Sequence, residues 1–298
     1  MSSRIPNRFH FVFGLEKQTD PFHLAHYLCL ESCRVINRPE KMYFYYCHEP
    51  YGRYWELIKD KLEPVRVALD DFVSGFSYKD RTIEPYKYAH HSDFIRLEKL
   101  IEHGGMYADI DTLFVSRIPD GLHEKSFVLG RENDIVCQTT GVRRRSLCNA
   151  FIMSEKNAPF ATKWLEQMRD FFDGSWSNHS TLLPQQLSEK HPDIIHIEPP
   201  RTFYRHMWTR EGIATLFEGC DTDFAGVVSM HLWSHLWWSR KRRDFSNFHA
   251  GLLTEEYVRA ASTTYAVAAR PFLPPPRPRR TVRSLWQAAT RRLIPARL

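Results

Sequence analysis

The sequence predicts an α/β fold on a central, mostly parallel sheet. Three observations carry this. Aromatic and apolar strand candidates alternate with amphipathic helix candidates over the first 115 residues, the rhythm of β-α-β units. A Gly-Gly pair at 104–105 stops the longest helix candidate directly before the next strand candidate. The composition, 43% hydrophobic and 26% charged over 298 residues, supports a large packed body and excludes a disordered or fibrous chain.

Each element follows from its residues. RFHFVF at 8–13 reads as a first strand ending at Gly14, and 22–37 as a helix with Leu24, Leu28 and Val35 among its apolar positions. KMYFYYC at 41–47 is a second strand by aromatic content, followed by a short helix near 53–60 and a strand at 64–69. Residues 70–85 are expected to be a loop. Phe94, Leu97 and Ile101 recur at helical spacing and predict a helix over 87–102. A strand at 106–115 follows, then short strands at 126–129, 135–140 and 149–153. Helices are expected at 158–172 and 181–190, separated by a polar loop at 173–180. Strands at 193–198 and 224–232 complete the body, with a further helix at 254–269. No internal repeat is evident.

The charge is unevenly placed. Residues 270–298 hold eight arginines and no acid, so the first 269 residues carry a net −2 of the chain's +6. The chain therefore divides into a body at 1–269 and a basic tail at 270–298. A nucleic-acid-binding body, which would spread positive charge along a face, is not expected. PFLPPPRP at 271–278 reads as an extended polyproline linker. Residues 281–296 can form an amphipathic helix, with Leu285, Trp286 and Leu293 on its apolar face and Arg283, Arg291 and Arg292 outside it. A frayed or packed terminus, attachment to an anionic membrane surface and contact with nucleic acid are open readings of that tail, in that order. Six cysteines at 29, 33, 47, 137, 148 and 220 lack zinc-site spacing and read as reduced. The N-terminus lacks the h-region of a signal peptide, and no apolar run approaches the ~18 residues of a membrane span. The expected setting is cytoplasmic, with the tail as a peripheral contact on the cytoplasmic membrane face.

The chemistry concentrates in Gly104-Gly105-Met106-Tyr107-Ala108-Asp109-Ile110-Asp111. In extended chain, Asp109 and Asp111 point the same way and Ile110 points into the core. Two adjacent carboxylates repel unless a cation holds them, and a hard divalent ion such as Mn²⁺ or Mg²⁺ suits oxygen ligands. On the preceding helix, Asp93 and Arg96 are three apart and share a face, as a local ion pair or as groups that touch a sugar hydroxyl or phosphate.

The run Ser92-Asp93…Arg96…Leu100…Gly104-Gly105-Met106-Tyr107-Ala108-Asp109-Ile110-Asp111 resembles the retaining sugar-nucleotide transferases of the GT-A, Rossmann-like fold whose sugar-binding region contains a DxD motif. That group includes bacterial capsule and lipopolysaccharide sugar transferases, initiating mannosyltransferases and the glucosylating domains of clostridial toxins. Two flanking segments extend the resemblance over residues 5–238. Ile5–Gly14 is similar to the opening strand, which implies that Phe11, Val12 and Phe13 hold the nucleotide base. The family often has Trp where Phe13 stands. His231-Leu-Trp233-Ser-His235-Leu-Trp237-Trp238 is similar to a C-terminal His-x-Trp segment. It implies that His231 completes the metal site, with His235 as competitor, and that Trp237 touches the donor. Asn149 resembles an asparagine near the donor sugar, or is a strand-start residue. Arg143–Arg145 read as a solvated loop or as an anion contact. Ser180–Pro184 lacks the glycine of the family's Gly-Pro turn, so the acceptor side carries no assignment.

The resemblance implies transfer of a hexose from a nucleoside-diphosphate sugar to a hydroxyl of a glycan, a lipid-linked or another acceptor. Asp109, Asp111 and His231 would hold the metal; Asp93, Arg96 and Asn149 would surround the sugar. It implies retention, with no nucleophile evident in the sequence. A sugar-nucleotide hydrolase and a catalytically silent carbohydrate-binding protein are the alternatives.

Overall fold

The computed structural model describes residues 3–69, 87–136 and 141–276. The loop expected at 70–85, the strand end at 137–140 and the amphipathic helix at 281–296 lie outside these residues. Through the first half the elements are β1 (Arg8–Val12), α1 (Leu24–Asn37), β2 (Lys41–Tyr46), α2 (Arg53–Ile58), β3 (Glu63–Arg66), α3 (Lys87–His103), β4 (Gly105–Ala108) and β5 (Thr112–Phe114). Then come β6 (Phe127–Arg131), the hairpin β7 (Ile135–Val136) and β8 (Arg143–Arg144), β9 (Leu147–Ser154), α4 (Pro159–Phe171) and α5 (Leu183–Lys190). The chain continues through β10 (His196–Glu198), α6 (Arg210–Phe217), β11 (Ser229–His231), α7 (Glu255–Ala260) and α8 (Thr264–Ala269).

Among the described residues the main sheet has seven strands in the order β10-β6-β9-β4-β1-β2-β3. All neighbours are parallel except β9, which runs antiparallel to both β4 and β6. The period-two alternation of β1 divides two cores. Phe9 and Phe11 pack with α1, while Val12 packs with Phe94, Leu97 and Leu100 of α3 and with Trp164 of α4.

The Gly-Gly stop behaves as the sequence requires. Gly104 and Gly105 have φ of 64° and 114°. A Cβ on Gly105 would lie 2.4 Å from the Arg8 carbonyl, so no other residue fits where β4 enters beside β1. His10 fastens this turn from below. Its Nε2–H donates to the Gly104 carbonyl at 2.9 Å, and its Nδ1 accepts from the Tyr45 hydroxyl at 3.0 Å.

Several expectations are corrected. The strand at 106–115 is two strands: after Ala108 the chain leaves the main sheet through a turn closed by Thr112 N–H to the Asp109 carbonyl, at 3.1 Å. β5 then pairs antiparallel with β11 in a separate two-stranded sheet. The helix at 254–269 is broken because Thr263 turns outward and caps a new helix, accepting from the Ala266 N–H. The polar loop at 173–180 winds into a π-helical turn, Asn178–Leu182, that runs into α5. The last strand spans only 229–231, and α6, capped by Thr209, was not anticipated. The packed body extends past 269: Phe272 is buried, and Arg270 donates to the carbonyls of Val258 and Ala261. Cys29, Cys33, Cys47, Cys148 and Cys220 are free thiols.

Candidate active site

The site forms where β4 ends at the carboxyl edge of the sheet. Asp109 and Asp111 occupy the turn rather than a strand, yet their carboxylates converge. Sheet register supplies the third member, because β11 lies against β5 with His231 opposite Thr112. Ligand atoms from Asp109, Asp111 and His231 all lie within 4.8 Å of one another. His231 Nε2 is 3.0 Å from Asp111 Oδ1 and 3.6 Å from Asp109 Oδ2. The second Asp111 oxygen accepts the Ser234 N–H at 2.7 Å. Trp233, directly before Ser234, has a left-handed φ of 54°, and its indole N–H donates to the His206 carbonyl. That strained residue turns the chain toward Asp111.

The electrostatics of the pair are unequal. Burial pushes the Asp109 carboxyl up, and Arg96 and His231 offset this only in part. Burial acts on Asp111 too, but His231 and the Ser234 N–H overcome it and hold its carboxyl well below the usual range. Burial disfavours a charged His231, yet Asp111 and Asp109 raise its pKa overall. Two carboxylates and one imidazole around a common point form a donor set suited to a hard or borderline divalent cation. Asp109, with 26% of its side chain exposed, is the open edge of the cluster.

A second cluster lies on α3. Arg96 reaches Asp93 at 3.0 Å and Asp109 at 3.3 Å, and donates to the Asn149 carbonyl at 2.7 Å. Its guanidinium lies 4.3 Å over the Tyr107 ring, whose hydroxyl donates to Asp109 at 2.6 Å. Asp93 accepts from Asn149 Nδ2 at 2.7 Å and from His179 Nε2 at 2.9 Å. These contacts hold the Asp93 carboxyl below its ordinary range although burial opposes ionisation.

Residues 48–128 match the family model described as "Glycosyltransferase sugar-binding region containing DXD motif", and Asp109 and Asp111 fall inside it. The chain is 28% identical over 278 residues to "Glucan organizing enzyme 1" of Cryptococcus neoformans var. grubii serotype A, an alignment covering 91% of this chain and 71% of that protein. The acidic turn thus lies in a stretch similar to the DXD regions of glycosyltransferases. Among solved structures, galactosyltransferase LgtC in complex with donor and acceptor sugar analogs aligns over 90% of this chain and 97% of its own, at 15% identity and a TM-score of 0.46. PaToxG glycosyltransferase aligns over 63% and 70%, at 17% identity and a TM-score of 0.41.

The residues singled out from sequence fall into five groups. Asp93, Arg96, Asn149, Asp109, Asp111 and His231 form one connected network. His235 stands apart from the triad, its ring 5.3 Å from Trp176. At the end of β1 the side chains of Phe11 and Val12 are buried in the two different cores, whereas Phe13 is half-buried. Trp237 is a correction. Its ring is fully buried against Phe217 and Phe248, with its N–H on the Leu232 carbonyl, so it is a core residue without a face for the donor. The neighbouring Trp238 is the ring that reaches α1, stacked on His26. Arg143–Arg145 are exposed on and beside β8.

Two site residues had no sequence signal. His179 comes from the π-helical turn, more than eighty positions from its partner Asp93. Glu132, just beyond β6, is buried between the Ser146 hydroxyl at 2.9 Å and the Trp208 N–H at 3.2 Å. Burial pushes its carboxyl up to about 7. Isolated His and Glu residues reveal such partnerships only once the chain is folded.

Proposed function

We propose that this protein is a metal-dependent, retaining hexosyltransferase. Its donor is a nucleoside-diphosphate sugar and its acceptor a hydroxyl of a glycan, glycolipid or other molecule. The convergence of Asp109, Asp111 and His231 within 4.8 Å carries the reading. These residues would hold Mn²⁺ or Mg²⁺. When bound, such a cation offsets the charge that develops on a diphosphate leaving group.

The chain's own groups supply the rest. Arg96 fixes Asp109 and contributes a permanent positive charge at the same edge of the sheet. Asp93, locked by Arg96, Asn149 and His179, orients the donor sugar with Asn149, and such positioning lowers the barrier. Backbone at Phe11–Val12 and the ring of Phe13 border the nucleoside. Retention follows from attack on the leaving-group face, which needs no protein nucleophile.

The proposed setting is cytoplasmic, with the arginine-rich tail against an anionic membrane face where a lipid-linked acceptor resides. Among the described residues no helix is long and apolar enough to cross a membrane.

A panel of sugar nucleotides, scored for nucleoside diphosphate release with Mn²⁺ and with EDTA, tests this. Release that requires both the metal and an added acceptor supports transfer. Release without acceptor points to a hydrolase. Binding without release points to a silent sugar-nucleotide-binding protein.

A further inference from the structure

His26 on α1 is a buried polar residue that the scheme above leaves unused. It is 7% exposed. Its ring centroid lies 4.7 Å from that of Phe13, and it stacks on Trp238 at 5.1 Å with the planes 6° apart. Phe22 closes a further side at 5.2 Å. Among the described residues neither ring nitrogen has a hydrogen-bond partner, and of the two only Nδ1 is fully buried. A buried polar group without a partner is rare and calls for an explanation.

The chemistry of the ring narrows that explanation. Burial pushes its pKa down to about 3, so the imidazole is neutral, even though Asp111 is close enough to act on it in the opposite sense. A sealed nitrogen is better tolerated as a lone pair than as an orphaned N–H. The proton therefore belongs on Nε2, the nitrogen that is not sealed. His26 is thus a neutral N–H donor held between Phe13, the aromatic residue at the end of β1, and Trp238, which follows the His231 segment. Its ring position is fixed by the stack on Trp238 and by tilted contacts with Phe13 and Phe22.

We propose that His26 is a further donor-binding residue, whose Nε2–H donates to an oxygen of the bound nucleoside diphosphate. The inference rests on the reading that this site takes a nucleoside-diphosphate sugar. It makes α1 a third wall of the donor site, beside the Asp109–Asp111 turn and β11. A neutral donor suits a ribose or phosphate oxygen without adding charge next to the metal ligands.

Calorimetric titration of UDP and of GDP, each with Mn²⁺, tests it on the full-length protein and on His26→Phe. The phenyl ring keeps the stack on Trp238 and the tilted contact with Phe13 but offers no hydrogen-bond donor. The expected result is about tenfold weaker nucleotide binding, the value of one hydrogen bond. Mn²⁺ affinity without nucleotide should stay unchanged. His26→Gln, which restores an N–H, should recover part of the loss. Nucleotide affinity within twofold of the parent in His26→Phe overturns the proposal. An equal loss of Mn²⁺ affinity also overturns it, because that marks general distortion. If the parent protein binds neither nucleotide, the sugar-nucleotide reading itself fails, a result separate from either of these.

Discussion

The two flanks of the site are built on different terms. On the α3 flank, Asp93, Arg96, Asn149, Tyr107 and His179 bond one another, and Asp93 has both oxygens engaged. On the α1 and β11 flank, His26 has no hydrogen-bond partner on either ring nitrogen among the described residues, and Asp109 stays partly exposed. The first flank has most of its interactions made before any ligand arrives, with His179 Nδ1 its one named atom that is buried without a partner among the described residues. The second keeps capacity in reserve. A site with this division uses one side to hold geometry and the other to take up what binds.

The comparison predicts that variants of the reserved flank lose chemistry and variants of the bonded flank lose stability. Asp111→Asn should lower Mn²⁺-dependent nucleoside diphosphate release by about 100-fold or more, equivalent to about 3 kcal/mol of transition-state stabilisation. Circular dichroism should remain native, and unchanged turnover would remove the metal assignment. Arg96→Met strands Asp93 without its cation and should destabilise the fold by about 3–5 kcal/mol in urea unfolding. If its midpoint matches the parent's, the α3 network is not structural and the comparison breaks. His179→Ala removes one charge-assisted hydrogen bond to Asp93, worth about 1.5–3 kcal/mol. Finding donor KM raised more than stability lowered would move His179 from the bonded flank to the reserved one.

Acid should expose a further difference. Burial depresses His10 and His90 to about 4, His26 to about 3 and His235 to about 4, against an ordinary value of 6.5. The unfolded chain therefore takes up protons below pH 6.5 that the native protein refuses. Their contribution is complete above that pH and is lost as pH falls toward 4. Glu132, raised to about 7 from 4.5, works in the opposite sense, as does a metal-free His231. The four histidines outweigh these two, so urea midpoints in EDTA should be lower at pH 5 than at pH 7.5. A flat profile would show that these rings are hydrated in the native state. The smallest effect belongs to the tail. Truncation after Pro276, which spares the buried Phe272, should reduce binding to anionic liposomes and leave turnover of a soluble acceptor unchanged. Undiminished liposome binding would end the membrane proposal.

Much was legible from local sequence. The parallel strands β1, β2 and β3, helix α1 and the long helix α3 carry their own periodicity. Gly104-Gly105 carries its own stop, because at φ 114° a Cβ on Gly105 would meet the Arg8 carbonyl beside β1. Asp93, Arg96, Asp109 and Asp111 lie within nineteen consecutive residues, so spacing alone could group them. What the sequence could not supply came from long-range pairing. The turn at Asp109–Thr112 forms because the chain exchanges the main sheet for β11, which is more than a hundred residues away. That exchange, fixed by register, brings His231 rather than His235 against Asp111 and places the Ser234 N–H on the same carboxylate. The same logic turned Trp237 inward and brought His179 to Asp93. Local residues determined the elements and the acidic turn. Only tertiary structure decided which distant histidines meet it, because sheet register and packing carry no signature in the residues they join.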